Sequence, residues 1–491
     1  LKNKSDKIIF IILMLISSIC YFFSTGFNNI SFLLWIAPIP IFIYSFFNSY
    51  KRTFILAFSS FILGGLSYYK YFNDFPSIIF SILEYSLFFS VIIILCKFLF
   101  QKIRKWYVIF FPPSCYSLYE YCSSLVSKNG TINSLSYTQI DFQLLIQLAS
   151  ITGIYGITFI LYFLPYAVSI FIYYLILKNK KNCILVFIFP ILIMICTILF
   201  GYSRIKILDS HSHENIIIGM ASADHLNSFS IINNEESSKK VIEHYISLIP
   251  MLSKNGAKII LFPEKITTIN YKILSNISKL LSDAAIKYNV TIILGIRRID
   301  SNNIFYNSAW IFSENGNLIS TYDKHFLLPY YEVNTIYNIP EITPGKTFVT
   351  FNFKDSIFGI AICKDMDFQK ITHAYSKLNA KVMFVPALDF IKDGWFHGRI
   401  AIFRGIEGGF SVVRAPSQGI LMASDEAGRI IKKVATSSSE NTYFIAKVPV
   451  GTSNTIFSQY KYLFHFFTGS IIFLYLILFL YTHFKVSPLK N

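Results

Sequence analysis

The sequence predicts two parts of different class: an α-helical membrane bundle of about eight transmembrane helices, and an α/β domain set between the seventh helix and the eighth. Three observations predict this. Hydrophobic residues make up 54% of the 491-residue chain and charged residues only 14%, against about 25% charged in an average soluble protein, and mean hydropathy is +0.51. The apolar residues are segregated: 1–203 and 463–484 are mostly long apolar runs, while 204–462 has a soluble composition. Within 204–462, strand-like and helix-like periods alternate. Such a composition excludes a disordered chain, a disulfide mini-domain and an ordinary cytosolic enzyme. The expected domains are 1–203 (membrane, about seven helices), 204–455 (α/β) and 456–491 (a last transmembrane helix and a tail).

An apolar helix needs about 20 residues to cross a bilayer. Spans are expected near 8–24, 30–47, 54–70, 77–96, 107–125, 148–177, 183–202 and 463–484. The fifth is interrupted by Pro112, Pro113 and Glu120, and the sixth is long enough for a kink or an interfacial segment. No small-residue cleavage site follows the first, which is therefore expected to remain a span. Taken alone, the net charge of +17 suggests a nucleic-acid partner, but its placement points to a membrane and to no nucleic acid. Fourteen basic residues, among them Lys2, Lys51, Arg52, Lys97, Arg104, Lys178 and Lys485, fall on one side of the spans, and only Lys70 and Lys128 fall in the opposite short loops. Basic loops stay cytoplasmic. Both termini are thus expected inside and 204–462 outside, most simply in a bacterial inner membrane with a periplasmic domain. Glu84 and Glu120 lie inside apolar spans, where an acid is a candidate for function.

In the outer domain, strands are expected at Asn215–Ser222, Lys258–Phe262, Val290–Arg297, Tyr306–Phe312, Leu318–Lys324, Thr347–Phe353, Ser356–Ile362, Val382–Ala387, Phe410–Ala415, Gly419–Ala423, Ile430–Thr436 and Thr442–Val448. Helices are expected at Glu235–Leu252, Tyr271–Lys287, Asp367–Leu378 and His397–Gly408. Interleaved helices and strands of this kind make a layered α/β domain.

Six of seven cysteines lie in the membrane part, as small apolar side chains; Cys363 stands alone in the outer domain. It follows an apolar strand and precedes a helix, where nearby N–H groups favour a thiolate. Glu264 ends a buried strand and can act as a base from a partly dry pocket. Lys324 ends another, and a fixed ammonium can stabilise an oxyanion. Together they suit acyl transfer through a thioester. Taken singly, each also has a structural reading: a surface Glu or Lys at a strand end, or an inert buried Cys. Spacing by itself does not assemble them. His373, His397 and Asp389 lack metal-ligand spacing, and no metal or cofactor is expected.

Three segments carry a resemblance: Pro263-Glu264, Tyr322-x-Lys324-x3-Leu328-Pro329-x2-Glu332 and Gly359-Ile360-x-Ile362-Cys363. They resemble the signatures of the nitrilase superfamily. Thr343-Pro344-Gly345, Asp389, Trp395, Phe403-Arg404-x2-Glu407, Val413-Arg414-Ala415 and Gln147-Leu148-Ala149-x3-Gly153-Ile154-Tyr155-Gly156 are similar to its membrane-bound branch, the bacterial apolipoprotein N-acyltransferases. The resemblance implies an αββα sandwich on a membrane bundle. It implies that Cys363 takes an acyl chain from a phospholipid, typically phosphatidylethanolamine, and passes it to the α-amine of a diacylglyceryl-cysteine on an apolipoprotein. Glu264 would be the base. Lys324 and the backbone N–H of Lys364 would hold the oxyanion, and Glu332 would position the lysine. Asp365, Trp395, Arg404 and Glu407 would help position the site or substrate, with Trp395 and Phe396 shaping a lipid-facing rim.

Four departures from the family pattern stand out. Cys363-Lys364-Asp365 replaces Cys-Tyr-Glu, and Lys265-Ile266 replaces small residues after the glutamate. Asn129-Gly130-Thr131-Ile132 stands near where an aromatic stretch is usual, and no Lys-Trp pair occurs around Asn227–Asn233. Lys364 is expected either to favour anionic headgroups or to be a solvated surface lysine. The alternative function is a membrane-anchored amidase or acyltransferase of the same fold acting on another lipid or amide; a non-catalytic membrane protein is the third reading.

Overall fold

The computed structural model describes residues 2–72, 77–210, 214–226, 235–333, 340–436 and 439–485; the Asn227–Asn233 stretch lies outside them. The chain forms two compact units, one from 1–125, 133–204 and 461–491 and the other from 126–132 and 205–460.

The first unit is helical. Among the described residues five helices are long and apolar enough to cross a membrane: Ser5–Ser24, Ile78–Ile103, Ile154–Ile176, Lys181–Ser210 and Leu463–Tyr481. The other expected spans are shorter or broken, for local reasons. Residues 30–47 form two helices, Leu33–Ile36 and Ile39–Phe47, separated at Ala37 and Pro38; Pro38 and Pro40 offer no backbone donor. The expected 54–70 span is a 16-residue helix, Tyr50–Gly65, followed by a 3₁₀ turn. In 107–125, Pro112 and Pro113 begin a helix, Phe111–Val126, rather than interrupt one, because the first turn has no use for their missing N–H groups. The 148–177 stretch breaks at Gly153, whose φ of +63° ends one helical turn before the long helix starts. Glu120 is buried, accepting from Ser134 Oγ, Thr158 Oγ1 and the Leu135 N–H, whereas Glu84 is exposed.

Among the described residues the second unit has thirteen strands: β1 Asn215–Ser222, β2 Ile259–Leu261, β3 Thr268–Asn270, β4 Thr291–Ile299, β5 Phe305–Phe312, β6 Leu318–Asp323, β7 Thr350–Phe353, β8 Ser356–Ile360, β9 Val382–Leu388, β10 Ser411–Ser417, β11 Ile420–Ser424, β12 Ile430–Ala435 and β13 Thr442–Pro449. One sheet runs β13-β1-β2-β4-β5-β6, with β3 beside β4; the other runs β12-β11-β10-β9-β8-β7. The central strands β2 and β9 are apolar and buried throughout, as strands covered on both faces must be. The edge strand β12 is mostly exposed and carries Lys432 and Lys433, charges that discourage further pairing.

Two cores result. Ile218, Leu261, Ile293 and Ala309 of the first sheet face Phe358, Phe384, Val413 and Leu421 of the second. The outer face of the first sheet packs Phe262, Ile292 and Trp310 against helices α1 (Glu235–Lys254) and α2 (Leu274–Tyr288). Helices α3 (Gln369–Lys377) and α4 (Gly394–Gly408) belong to the second sheet's side, α4 packing on β10 and β11. The layering is α-β-β-α. β3 is the strand that alternation alone does not reveal, being three residues long.

Candidate active site

Glu264, Lys324, Glu332 and Cys363 arrive from four chain segments that the two sheets bring together. Glu264 follows β2 after Pro263. Its N–H donates to Ala387 O of β9, 3.1 Å away, so it is tied to the opposite sheet. This turn passes so close to β4 that a Cβ on Gly295 would lie 2.5 Å from Glu264 Cα; only glycine fits there. Lys324 follows β6. Gly345, of the Thr343-Pro344-Gly345 motif, crosses that strand end so tightly that a Cβ would lie 2.0 Å from Asp323 O. Cys363 comes three residues after the end of β8. It is half-buried, with φ +45°, a left-handed conformation that ordinary side chains avoid and that nucleophile turns use to expose the reacting atom.

The polar network is dense and dry. Lys324 Nζ lies 2.9 Å from Glu264 Oε1 and 2.9 Å from Glu332 Oε2. Asn307 Nδ2 donates to Oε1 of both glutamates at 2.6 Å. The Leu328 N–H donates to Glu332 Oε2 at 2.9 Å. Glu264, Lys324 and Glu332 are all nearly inaccessible, at 1%, 2% and 1% exposure. Glu264 Oε2 is buried and accepts no hydrogen bond among the described residues. Burial would lower the Lys324 ammonium, but Glu264 and Glu332 outweigh it and hold it well above the ordinary lysine range. Burial would raise Glu332, but Lys265 and Lys324 push it well below the ordinary carboxylate range. Cys363 goes the other way: burial first, then Glu264, raises its thiol against the pull of Lys324 and Arg414. Burial and Glu264 thus oppose the pull toward thiolate expected of this turn, and a nearby base is needed to take the proton as the sulfur attacks.

Asp365 ties the cysteine turn to the lysine strand. Its Oδ2 accepts from Tyr322 OH at 2.7 Å and Ile362 N–H at 2.9 Å; its Oδ1 accepts from the N–H groups of His325 and Phe326. Burial pushes its carboxyl up to about 6 against these donors. Lys364 fits neither expected reading. It is 4% exposed, its Nζ donates to Asn129 Oδ1 at 2.8 Å, and burial lowers its ammonium. Its aliphatic stem and amine are used inside the protein, holding residues 126–132 with the help of Thr131, whose N–H and Oγ1 both donate to Asp367 O.

The remaining expected residues make contacts of their own. Arg404 and Glu407 pair with each other at 3.0 Å inside α4, and Glu407 also accepts from Gln369 Nε2; their contacts brace helices. Trp395 carries Lys433 over its ring at 4.1 Å. Phe396 is 5% exposed with Arg399 over it, which corrects its place on a lipid-facing rim. Sequence reasoning missed Asn307 and Lys265 as members of the cluster and did not pair Asp389 with Arg414, which it binds through both oxygens at 2.7 and 2.5 Å. For Asn307 no signal exists in the sequence. For the pair, parallel β9 and β10 supply the geometry.

The two-sheet sandwich brings a glutamate, a lysine and a cysteine to its strand ends, and residues 226–453 match the family described as carbon-nitrogen hydrolase. Residues 17–167 match the apolipoprotein N-acyltransferase N-terminal domain. Over these two regions the chain is similar to the carbon-nitrogen hydrolases and to the apolipoprotein N-acyltransferases. It is similar to the apolipoprotein N-acyltransferase of Borreliella burgdorferi, 26% identical over 65% of this chain and 66% of that protein, so the match spans about two thirds of that relative. It is also similar to apolipoprotein N-acyltransferase 1 of Treponema denticola, 24% identical over 82% of this chain and 83% of that one. Among solved structures, an amidase from Nesterenkonia sp. is similar at 14% identity, covering 49% of this chain and 92% of that one with a TM-score of 0.39.

Proposed function

We propose that this protein acylates the N-terminus of lipoproteins: it takes an acyl chain from a phospholipid onto Cys363 and passes it to the α-amine of a diacylglyceryl-cysteine. The observation that carries the chemistry is the buried, unpartnered Oε2 of Glu264 on a carboxylate whose other oxygen is held by Lys324 and Asn307. An unsatisfied carboxylate oxygen in a dry site is a proton acceptor waiting for a donor. Similarity to the apolipoprotein N-acyltransferases supports the substrates.

In the first half-reaction Glu264 takes the Sγ proton while Sγ bonds to the ester carbon. The oxyanion is met by Lys324 and the backbone N–H of Lys364. The ester C–O bond then breaks, Glu264 returns the proton to the leaving oxygen, and a lysophospholipid departs. In the second, the amine attacks the thioester and gives its proton to Glu264. The C–S bond breaks and the proton passes to sulfur, leaving an amide and the resting thiol. Glu332 positions Lys324. Phosphatidylethanolamine is the proposed donor. The proposed setting is a bacterial inner membrane, with eight spans, both termini cytoplasmic and residues 204–455 as a periplasmic catalytic domain.

Intact mass spectrometry of the detergent-purified protein with phosphatidylethanolamine, with and without a synthetic diacylglyceryl-cysteine peptide, tests this. The expected result is an acyl adduct that hydroxylamine removes, that Cys363→Ala lacks and that moves to the peptide amine. An adduct that passes only to water would replace this reading with a hydrolase. No adduct from any phospholipid would sink the lipid-donor mechanism.

A further inference from the structure

We propose that Lys265 is a positioning residue for the Cys363 chemistry: its ammonium, seated on Glu332, keeps two crowded carboxylates both unprotonated, so that Glu264 stays free to receive the thiol proton. This rests on the base role proposed for Glu264.

Glu264 and Glu332 are as close as two carboxylates sharing one donor must be, since a single Asn307 Nδ2 reaches both at 2.6 Å. In a dry pocket two carboxylates this close oppose each other's ionisation, and cations beside them offset that repulsion. Lys265 adds the second ammonium, with Nζ 2.9 Å from Glu332 Oε1 and 3.8 Å from Glu264 Oε1. Its side chain is only 7% exposed, so water screens this interaction little.

The backbone is arranged for it. In an extended chain the side chains of neighbouring residues point to opposite faces, which would send Lys265 away from Glu264. Lys265 instead has φ +51°. That left-handed turn is one a non-glycine residue adopts only under strain, and it lets consecutive side chains enter one pocket.

Other charges face the cluster. Lys324 bridges both glutamates. Arg297, 5% exposed, acts on both electrostatically. Asp365 and Lys364 face Lys324, and the Asp389–Arg414 pair faces Cys363. Removing Lys265 leaves two ammonium or guanidinium neighbours on the carboxylate pair where three stood, and the pair then binds a proton at higher pH.

The test follows the rate of Cys363 alkylation by iodoacetamide between pH 5 and pH 10 in the full-length detergent-purified protein. Peptide-level mass spectrometry separates Cys363 from the other six cysteines. In Lys265→Met the acid limb is expected to move up by about one pH unit, a rate about tenfold lower on that limb, with wild-type rates regained at alkaline pH; Lys265→Arg is expected to keep the wild-type limb. In a Glu332→Gln background one carboxylate is gone, so Lys265→Met is expected to leave the limb where it is; this comparison decides the matter even if the single variant folds poorly. An unmoved limb in Lys265→Met, equal shifts in Lys265→Arg and Lys265→Met, or a shift of the same size in the Glu332→Gln background would each overturn the proposal. Alkylation needs no lipid, so a failure of acyl transfer by the wild type would fall on the proposed activity and leave this comparison standing.

Discussion

At the scale of single residues, the candidate site works by contrast between neighbours. A thiol raised by burial and by Glu264 stands near an ammonium held charged by two carboxylates. Such a thiol reacts only if its proton has somewhere to go. Glu264→Gln keeps the shape and the acceptor toward Lys324 but removes the base, and it is expected to slow Cys363 acylation by about 10²–10⁴-fold. Single-turnover adduct formation by mass spectrometry measures it; a rate within threefold of wild type would assign the base elsewhere. Glu264, Lys324 and Cys363 were legible as candidates because each ends an apolar run. Lys265 read as a departure and Lys364 as a surface or headgroup-facing residue, because a lysine's burial depends on what other segments lay over it. Asn307 carries no mark at all: it is one polar residue among several in β5.

At the scale of elements, two contacts hold the turns of the candidate site. The first is the approach of β4 to the Pro263-Glu264 turn. Gly295→Ala would set a Cβ 2.5 Å from Glu264 Cα and 2.7 Å from Pro263 O, with backbone atoms that cannot step aside. The variant is expected to lose roughly 1–3 kcal/mol of stability and about 10²-fold in acylation rate through a displaced Glu264; thermal melting and the adduct assay together check both. The second contact joins the start of α4 to the cysteine turn. His397 lies 3.6 Å from Asp367 and 3.6 Å from Asp393. Burial opposes its charge, but the two aspartates raise it to about 10. A histidine raised above its unfolded value stabilises most at low pH. Its contribution is complete below pH ~6.5 and is lost as pH rises through about 10. Wild-type melting temperature is expected to fall across that window, by roughly 2–4 °C per kcal/mol lost. His397→Gln should show a shallower decline, and equal slopes would remove the pair from the account. The strands and long helices of this unit were largely readable from alternation and apolar runs. β3 and the start of α4 at Gly394 were not, since a three-residue strand and a glycine-led helix start leave too little pattern.

At the scale of the whole molecule, the segregation of basic residues gives the proposed orientation its testable form. A reporter active only in the cytoplasm should be active when fused after Asn491 and inactive when inserted in the exposed turn at Ser301–Asn303; the reverse pattern would invert the topology.

The sequence by itself determined the division into an apolar helical part and a layered α/β part, the order of most elements and the identity of the chemistry-bearing candidates. Those follow from hydrophobic period and from composition, which are local properties. Tertiary structure alone decided where helices break, as at Gly153, and that Pro112 and Pro113 start one. It also decided that burial and Glu264 oppose a Cys363 thiolate, that Lys364 is an internal tie and that Lys265 joins the carboxylates. Burial and charge pairing are set by residues far apart in the chain, and these alone fix whether a given side chain meets water, an ion partner or neither.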